Sequence, residues 1–194
     1  MNGNQKNDLF QATPYQTLEE VAENSSTSTT AVDGIICCTP TLVHSDIIRQ
    51  AAQHKWHIFC EKPVAESATK ILEMFDLAEA SDVQLCCGFQ RRFDPSYRQA
   101  LEMVVQSGDK TIGQPIGITA FFGDHPEPPK EFLLQGGADI FEDLCVHDVD
   151  YILQALPGQD IVRVYATATS STAELEAANV HDNATMMMKF SGGK

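Results

Sequence analysis

The chain has 194 residues, with 13 Lys and Arg against 27 Asp and Glu, for a formal net charge of -14. At 43% hydrophobic and 21% charged residues, arranged in regular apolar runs, it reads as a folded chain of one large domain or two small or incomplete ones, not as a disordered one. An acidic excess of this size repels phosphate backbones and anionic lipid, which argues against nucleic-acid binding through a basic surface and membrane attachment through a polybasic patch.

Residues 1 to 30 are polar, with a helix-like piece at Thr17 to Asn24 and a low-complexity run, Ser25 to Thr30, that reads as a loop. No stretch approaches the roughly 18 apolar residues of a membrane span, and MNGNQKNDLF lacks the order of a secretory signal, so a cytoplasmic protein is expected. From Asp33 the pattern is strand Gly34 to Cys38, helix His44 to His54, strand Trp56 to Cys60, helix Ser67 to Ala80 and strand Val83 to Cys87. Strands GIICC, HIFC and VQLCC are apolar on both faces, which predicts a parallel sheet with helices on each side. Ligands of such sheets bind beyond the carboxyl ends of the strands, at Thr39-Pro40, Glu61-Lys62-Pro63 and Gly88.

After Arg92 the rhythm changes. A helix at Pro95 to Ser107 leads through Gly113-Gln114-Pro115 to a strand near Ile116 to Phe122 and a Pro-rich loop, Pro126 to Pro129. A second helix, about Asp139 to Leu156, precedes β-like runs at Ile161 to Thr169 and Ala184 to Phe190; the latter places Met186, Met187 and Met188 in a strand core. At Gly192-Gly193-Lys194 a hairpin turn would feed a further strand. The order predicts two units, residues 1–91 and 92–194, the second an α+β domain.

The chemistry-bearing residues fall in three places. Lys62 follows a strand and precedes Pro63, which restrains its backbone; a held lysine in the crevice and a solvated turn lysine are both compatible with this. Asp143 and His147 lie four apart on the predicted helix and so share a face, either to act on one ligand or as a polar face in water; the apolar stripe Phe141, Cys145, Val149, Ile152, Leu156 lies opposite. Arg91 and Arg92 follow Gly88, either to bind an anion or polyhydroxyl substrate or to brace the two units, Arg92 with Asp94 or nearby acids. The six cysteines, Cys37, Cys38, Cys60, Cys86, Cys87 and Cys145, make no C-x-x-C spacing and read as buried free thiols; no metal site is expected. P-loop, zinc-protease and serine-hydrolase motifs do not occur.

ICCTPTLVHSDI, FCEKPVA, GFQRRFDPSY and GGADIFEDLCVHDVD, in that order over about Asp33 to Phe190, resemble the Gfo/Idh/MocA family of NAD(P)-dependent oxidoreductases, most closely its inositol 2-dehydrogenase-like members. The resemblance implies an α/β chain: a doubly wound, Rossmann-type parallel sheet, here partial and lacking its first β-α-β unit, then an incomplete α+β domain with an open, mainly antiparallel sheet. It implies NAD as cofactor, with NADP not excluded, a polyol or sugar such as myo-inositol as substrate, and a homo-oligomer for the full-length form. Thr39, Pro40, His44, Glu61, Lys62 and Pro63 map to cofactor contacts. Lys62, Asp143 and His147 map to the catalytic group, with His147 as base, Lys62 favouring the alkoxide and Asp143 accepting substrate hydroxyls and orienting His147; with Arg91 they also map to substrate contacts. The family's G-x-G-x-x-G turn, which holds the cofactor pyrophosphate, is not present, and Gly123-Asp124-His125-Pro126 lacks a preceding arginine that relatives carry. The alternative is a shortened, catalytically inactive isoform that acts as a binding or subunit-pairing module; another sugar or a dihydrodiol as substrate is a third reading.

Overall fold

The computed structural model describes residues 12–27, 31–106, 115–134 and 139–193. Helix α1 (Leu18–Thr27) starts where Thr17 Oγ1 accepts from the Glu20 amide at 3.2 Å. It runs into the serine-threonine stretch expected to be a loop, so the predicted end at Asn24 is three residues short. Three parallel strands follow, β1 (Gly34–Cys37), β2 (His57–Cys60) and β3 (Leu85–Cys87), in the order β1-β2-β3. The crossovers are α2 (His44–Gln53) and α3 (Ala68–Ala80), the latter capped by Ser67 Oγ, which accepts from the Lys70 amide.

Right-handed crossovers between strands laid down in sequence order put α2 and α3 on one side of the sheet. Ile58 and Cys60 of β2 face that side and join Ile48, Ala51, Ala52, Met74 and Ala78 in the core, to which α1 adds Leu18, Val21 and Ala22. The other face carries Ile36, 75% exposed, and Phe59. Among the described residues the crossover hand fills one face of the sheet with α2 and α3, while the apolar side chains on the other face keep the capacity for two-sided burial that the strand pattern predicts. Cys38 and Cys86 are exposed and Cys87 and Cys145 intermediate, so only Cys37 and Cys60 meet the expectation of buried thiols.

The second unit opens with α4 (Pro95–Leu101), whose cap Asp94 accepts from the Ser96 and Tyr97 amides at 2.8 and 3.1 Å and whose first residue is proline. It continues as a π-helical turn over Glu102–Gln106; Ser107, Gly113 and Gln114 lie outside the described residues. Residues 115–122 form no strand, contrary to the pattern, since no strand among the described residues supplies a ladder: Ile116 and Phe121 stand almost fully exposed. Helix α5 (Lys130–Leu134) was not anticipated after the prolines. The predicted helix from Asp139 divides into a π-helical turn, Phe141–Cys145, and α6 (Val146–Ala155).

Strand β4 (Ile161–Thr169), short helix α7 (Ala173–Ala177) and β5 (Asn183–Phe190) follow, with β4 and β5 antiparallel. Ala184, Met186, Met188 and Phe190 of β5 face inward and line a cavity of about 510 Å³ with Leu144, Ile152, Pro115 and residues 117–122. Met187 points out, so two of the three methionines face the core. No described helix is long and apolar enough to cross a membrane.

Candidate active site

Strands β1, β2 and β3 end together, since Cys37 pairs with Cys60 and Cys60 with Cys87, and their turns form one ledge. On it Gly88 lets the chain pass close to Glu61: a Cβ there would meet the Glu61 carboxylate at 3.1 Å. Lys62 leaves the ledge toward the second unit, and its side chain is only 14% exposed. Its Nζ donates to the Asp143 carbonyl oxygen at 2.7 Å and to the Asp143 carboxylate. Two of the three ammonium hydrogens are thereby used, and among the described residues no partner takes the third. The solvated-turn reading of Lys62 fails on this geometry.

Asp143 sits in the π-helical turn, where its ion pair with Lys62 closes an 81-residue separation. His147 lies one turn on, buried at the start of α6 with its ring edge against Phe89, centroids 6.1 Å apart. Burial, then the nearby Arg91 and Lys62 cations, push its pKa below the ordinary imidazole value, so the ring is neutral at neutral pH. Among the described residues no hydrogen bond joins Asp143 to His147; the carboxylate turns to Lys62 instead, which corrects the expectation that Asp143 orients the ring. Among the described residues His147 Nδ1 is enclosed without a partner. A hydrogen there would be an unsatisfied buried donor, so the neutral ring keeps its hydrogen on Nε2.

Arg91 does not stand free beside the crevice. Its Nη1 donates to Asp148 Oδ1 at 3.1 Å and its guanidinium lies 3.8 Å from the centre of the Phe122 ring. Arg92 braces α6 through Asp150, to which Nε donates at 2.9 Å, and not through Asp94, which caps α4. The motif reading overlooked Asp148 and Asp150, although both flank His147 in VHDVD and supply the acids that two adjacent arginines require.

Thr39 and Pro40 follow β1 on the ledge. His44 is 1% exposed, and its Nδ1 and Nε2 lie 2.9 and 2.8 Å from the Pro63 and Thr39 carbonyl oxygens. With both ring nitrogens occupied, His44 ties the first ledge turn to the second and offers no ring nitrogen to a cofactor. The structure also brings His44 within 4.8 Å of Cys37 and Cys60, a cluster that sequence spacing did not reveal.

Comparison with known proteins agrees with the fold. Residues 2–89 match the family model described as an oxidoreductase family with NAD-binding Rossmann fold, and residues 97–194 match the GFO/IDH/MocA C-terminal domain. The chain is 31% identical to myo-inositol 2-dehydrogenase of Thermotoga maritima, over 84% of this chain and 47% of that protein. It is 35% identical to scyllo-inositol 2-dehydrogenase (NAD(+)) of Bacillus subtilis, over 78% of this chain and 40% of that one. A crystal structure of a putative myo-inositol dehydrogenase from Sinorhizobium meliloti superposes with a TM-score of 0.68 at 26% identity, covering 89% of this chain and 51% of that one. The chain thus spans about half the length of the relatives it matches.

Proposed function

We propose, from the premise that this chain belongs to the GFO/IDH/MocA family of oxidoreductases, that it carries the catalytic part of an NAD-dependent dehydrogenase acting on a CH-OH group of a polyol such as an inositol. The observation that carries this reading is the ammonium of Lys62, held on Asp143 at the carboxyl ends of the parallel strands, one helical turn from the neutral, buried His147. The donor set fits the nicotinamide end of the cofactor: a ledge of three strand ends with one uncommitted Lys62 hydrogen and a neutral imidazole at its margin. A glycine-rich turn for the pyrophosphate does not occur in this sequence. When bound, the nicotinamide supplies the hydride chemistry.

The chain's own residues then handle the oxygen and its proton. The free N–H of Lys62 donates to the reacting oxygen and stabilises the charge that develops on it. In the reducing direction the protonated ring of His147 gives its Nε2 hydrogen to the carbonyl oxygen and returns to the neutral form. In the oxidising direction the ring must accept at Nε2 and carry its hydrogen on the enclosed Nδ1, which costs about 1–3 kcal/mol for a buried donor left unpaired. Asp143 fixes the Lys62 ammonium and presents its remaining lone pairs to substrate hydroxyls. Arg91 frames the pocket through Asp148 and Phe122. A neutral polyol accords with the net charge of -14. We place the boundary of the two units between residues 91 and 92.

The test is NADH formation by the purified chain with myo-inositol, scyllo-inositol and aldose sugars, against NAD and NADP. Polyol-dependent NADH production that Lys62→Ala abolishes supports the reading. A folded protein that yields no NADH with any of them would favour an inactive binding or subunit-pairing module.

A further inference from the structure

Asp139 opens the helical run that carries Asp143 and His147. The first amides of a helix lack partners within it, and Asp139 takes three amides at this start. Its Oδ1 accepts from the Phe141 amide at 3.0 Å, and its carbonyl oxygen accepts from the Glu142 and Asp143 amides at 2.9 Å each. The main chain of Asp143 is therefore placed by Asp139. Asp143 in turn holds the Lys62 ammonium through its carbonyl oxygen and its carboxylate, so a shift of the main chain at Asp143 moves both acceptors together.

The second carboxylate oxygen of Asp139 is taken by a distant part of the chain. His181 Nδ1 lies 2.9 Å from Asp139 Oδ2, across 42 residues. A carboxylate only accepts, so Nδ1 carries the hydrogen and donates it. His181 belongs to the segment between α7 and β5, which is pinned on both sides of the ring. Ser170 Oγ donates to the Val180 carbonyl oxygen at 2.7 Å, the Val180 amide donates to the Leu175 carbonyl oxygen at 2.9 Å, and the Asp182 carboxylate accepts from the Ser171 amide at 2.8 Å. Leu175 itself is 2% exposed. The imidazole is thus a held donor, presented by the end of the β4-β5 sheet to the residue that starts the Asp143 turn. With both side chains about a third exposed, the pair adds little to stability, and its consequence lies in geometry.

We propose that His181 is a positioning residue for the Lys62–Asp143 pair: by holding the Asp139 carboxylate it fixes the start of the helical run, and through the Asp143 main chain it sets where the Lys62 ammonium stands. Its effect on turnover rests on the dehydrogenase reading; its effect on the Lys62 amine does not.

The test reads that amine directly. The full chain is labelled with trace acetic anhydride, and the rate at Lys62 is taken from peptide masses against Lys70 in the same sample. His181→Ala should raise this ratio about three- to tenfold, because the Asp143 acceptors are no longer fixed. His181→Asn, whose amide nitrogen takes the place of Nδ1, should stay within about twofold of the wild type. Asp139→Ser keeps a cap oxygen for Phe141 but does not reach His181; it should match His181→Ala, and the two together should do no more than either alone, since both break one contact. Glu174→Gln, which breaks the exposed Lys130 pair on the same short helix α7, should leave the ratio unchanged. Should His181→Ala unfold and label every lysine alike, His181→Gln, whose amide lies at the Nε2 position instead, takes its place. With polyol-dependent NADH formation, His181→Ala should lower kcat about tenfold with little change in KM, as expected of a displaced donor. A wild type without turnover counts against the dehydrogenase reading alone, and the Lys62 rate still decides the part of His181. A wild-type Lys62 rate in His181→Ala, a His181→Asn variant as reactive as His181→Ala, or additive effects of His181→Ala and Asp139→Ser would each overturn the proposal.

Discussion

Lys62 and Asp143 hold each other, so neither can be altered alone without effect on its partner. On the proposed dehydrogenase reading, Lys62→Ala removes the donor to the reacting oxygen and should lower turnover by about 10²- to 10³-fold or more in steady-state kinetics. The variant should still fold, because the lysine rises from a turn; near-normal turnover would remove it from the catalytic group. His147→Ala and Asp143→Asn should separate by role. The first takes away the proton carrier and should cost about 10²- to 10⁴-fold in kcat. The second leaves an amide oxygen that still accepts from Lys62, so its main effect should be a higher KM for the polyol. His147 also makes stability depend on pH. Its pKa is lowered in the fold, first by burial and then by Arg91 and Lys62, against an unfolded value near 6.5. Its neutral, buried state therefore contributes stability in full above about pH 6.5 and loses it as pH falls through the folded value. Urea midpoints measured from pH 7.5 down to 5 should drop more steeply in the wild type than in His147→Gln; parallel curves would show that the ring is not the titrating group.

Helices α1, α3, α4 and α7 begin at side chains that the sequence displays openly, Thr17, Ser67, Asp94 and Thr172. Asp94 caps α4 with two amides, so Asp94→Ala should cost about 1 kcal/mol in urea unfolding and Asp94→Asn should keep most of the stability. A loss in both variants alike would show that the Asp94 charge, not the cap, matters. The parallel strands were legible for a similar reason: short apolar runs ending in Thr39-Pro40, Lys62-Pro63 and Gly88 mark strand and turn by local chemistry alone. Residues 116–122 show where that reasoning stops, since an apolar pattern does not say whether another strand will supply hydrogen-bonding partners. The π-helical turn at Phe141–Cys145 was equally invisible, because it differs from α-helix by one step in hydrogen-bond offset and not in residue type. The motifs placed Lys62, Asp143 and His147 near one another, but which of Lys62 and His147 would take the Asp143 carboxylate depended on contacts 81 residues apart that no spacing rule covers.

The whole molecule is joined by a seam of opposite charges in which every acid comes from one continuous helical run. Lys62 reaches Asp143, Arg91 reaches Asp148 and Arg92 reaches Asp150, so α6 and the turn before it are fastened at three points to the ledge and to the turn Gln90–Phe93. The same run carries His147, and the seam is thus also the frame that sets the imidazole against the Lys62 ammonium. Arg92 and Asp150 touch neither of those groups in the hydrogen-bond network, which makes them the place to test the frame without touching the chemistry. The pair is bidentate, but the arginine is half exposed, so a double-mutant cycle with Arg92→Ala and Asp150→Ala should give a coupling of only about 1 kcal/mol. Its consequence for geometry should be larger than for stability, because small displacements of a positioned group cost disproportionately in rate. In Asp150→Ala, amide hydrogen exchange should accelerate over residues 90–93 and 146–155 while β1 to β3 stay protected, and kcat should fall with little change in KM. Restoring the pair with reversed charges, Arg92→Asp with Asp150→Arg, should recover part of the protection. Unchanged exchange in Asp150→Ala would mean that the two units are fastened by Lys62 and Arg91 alone.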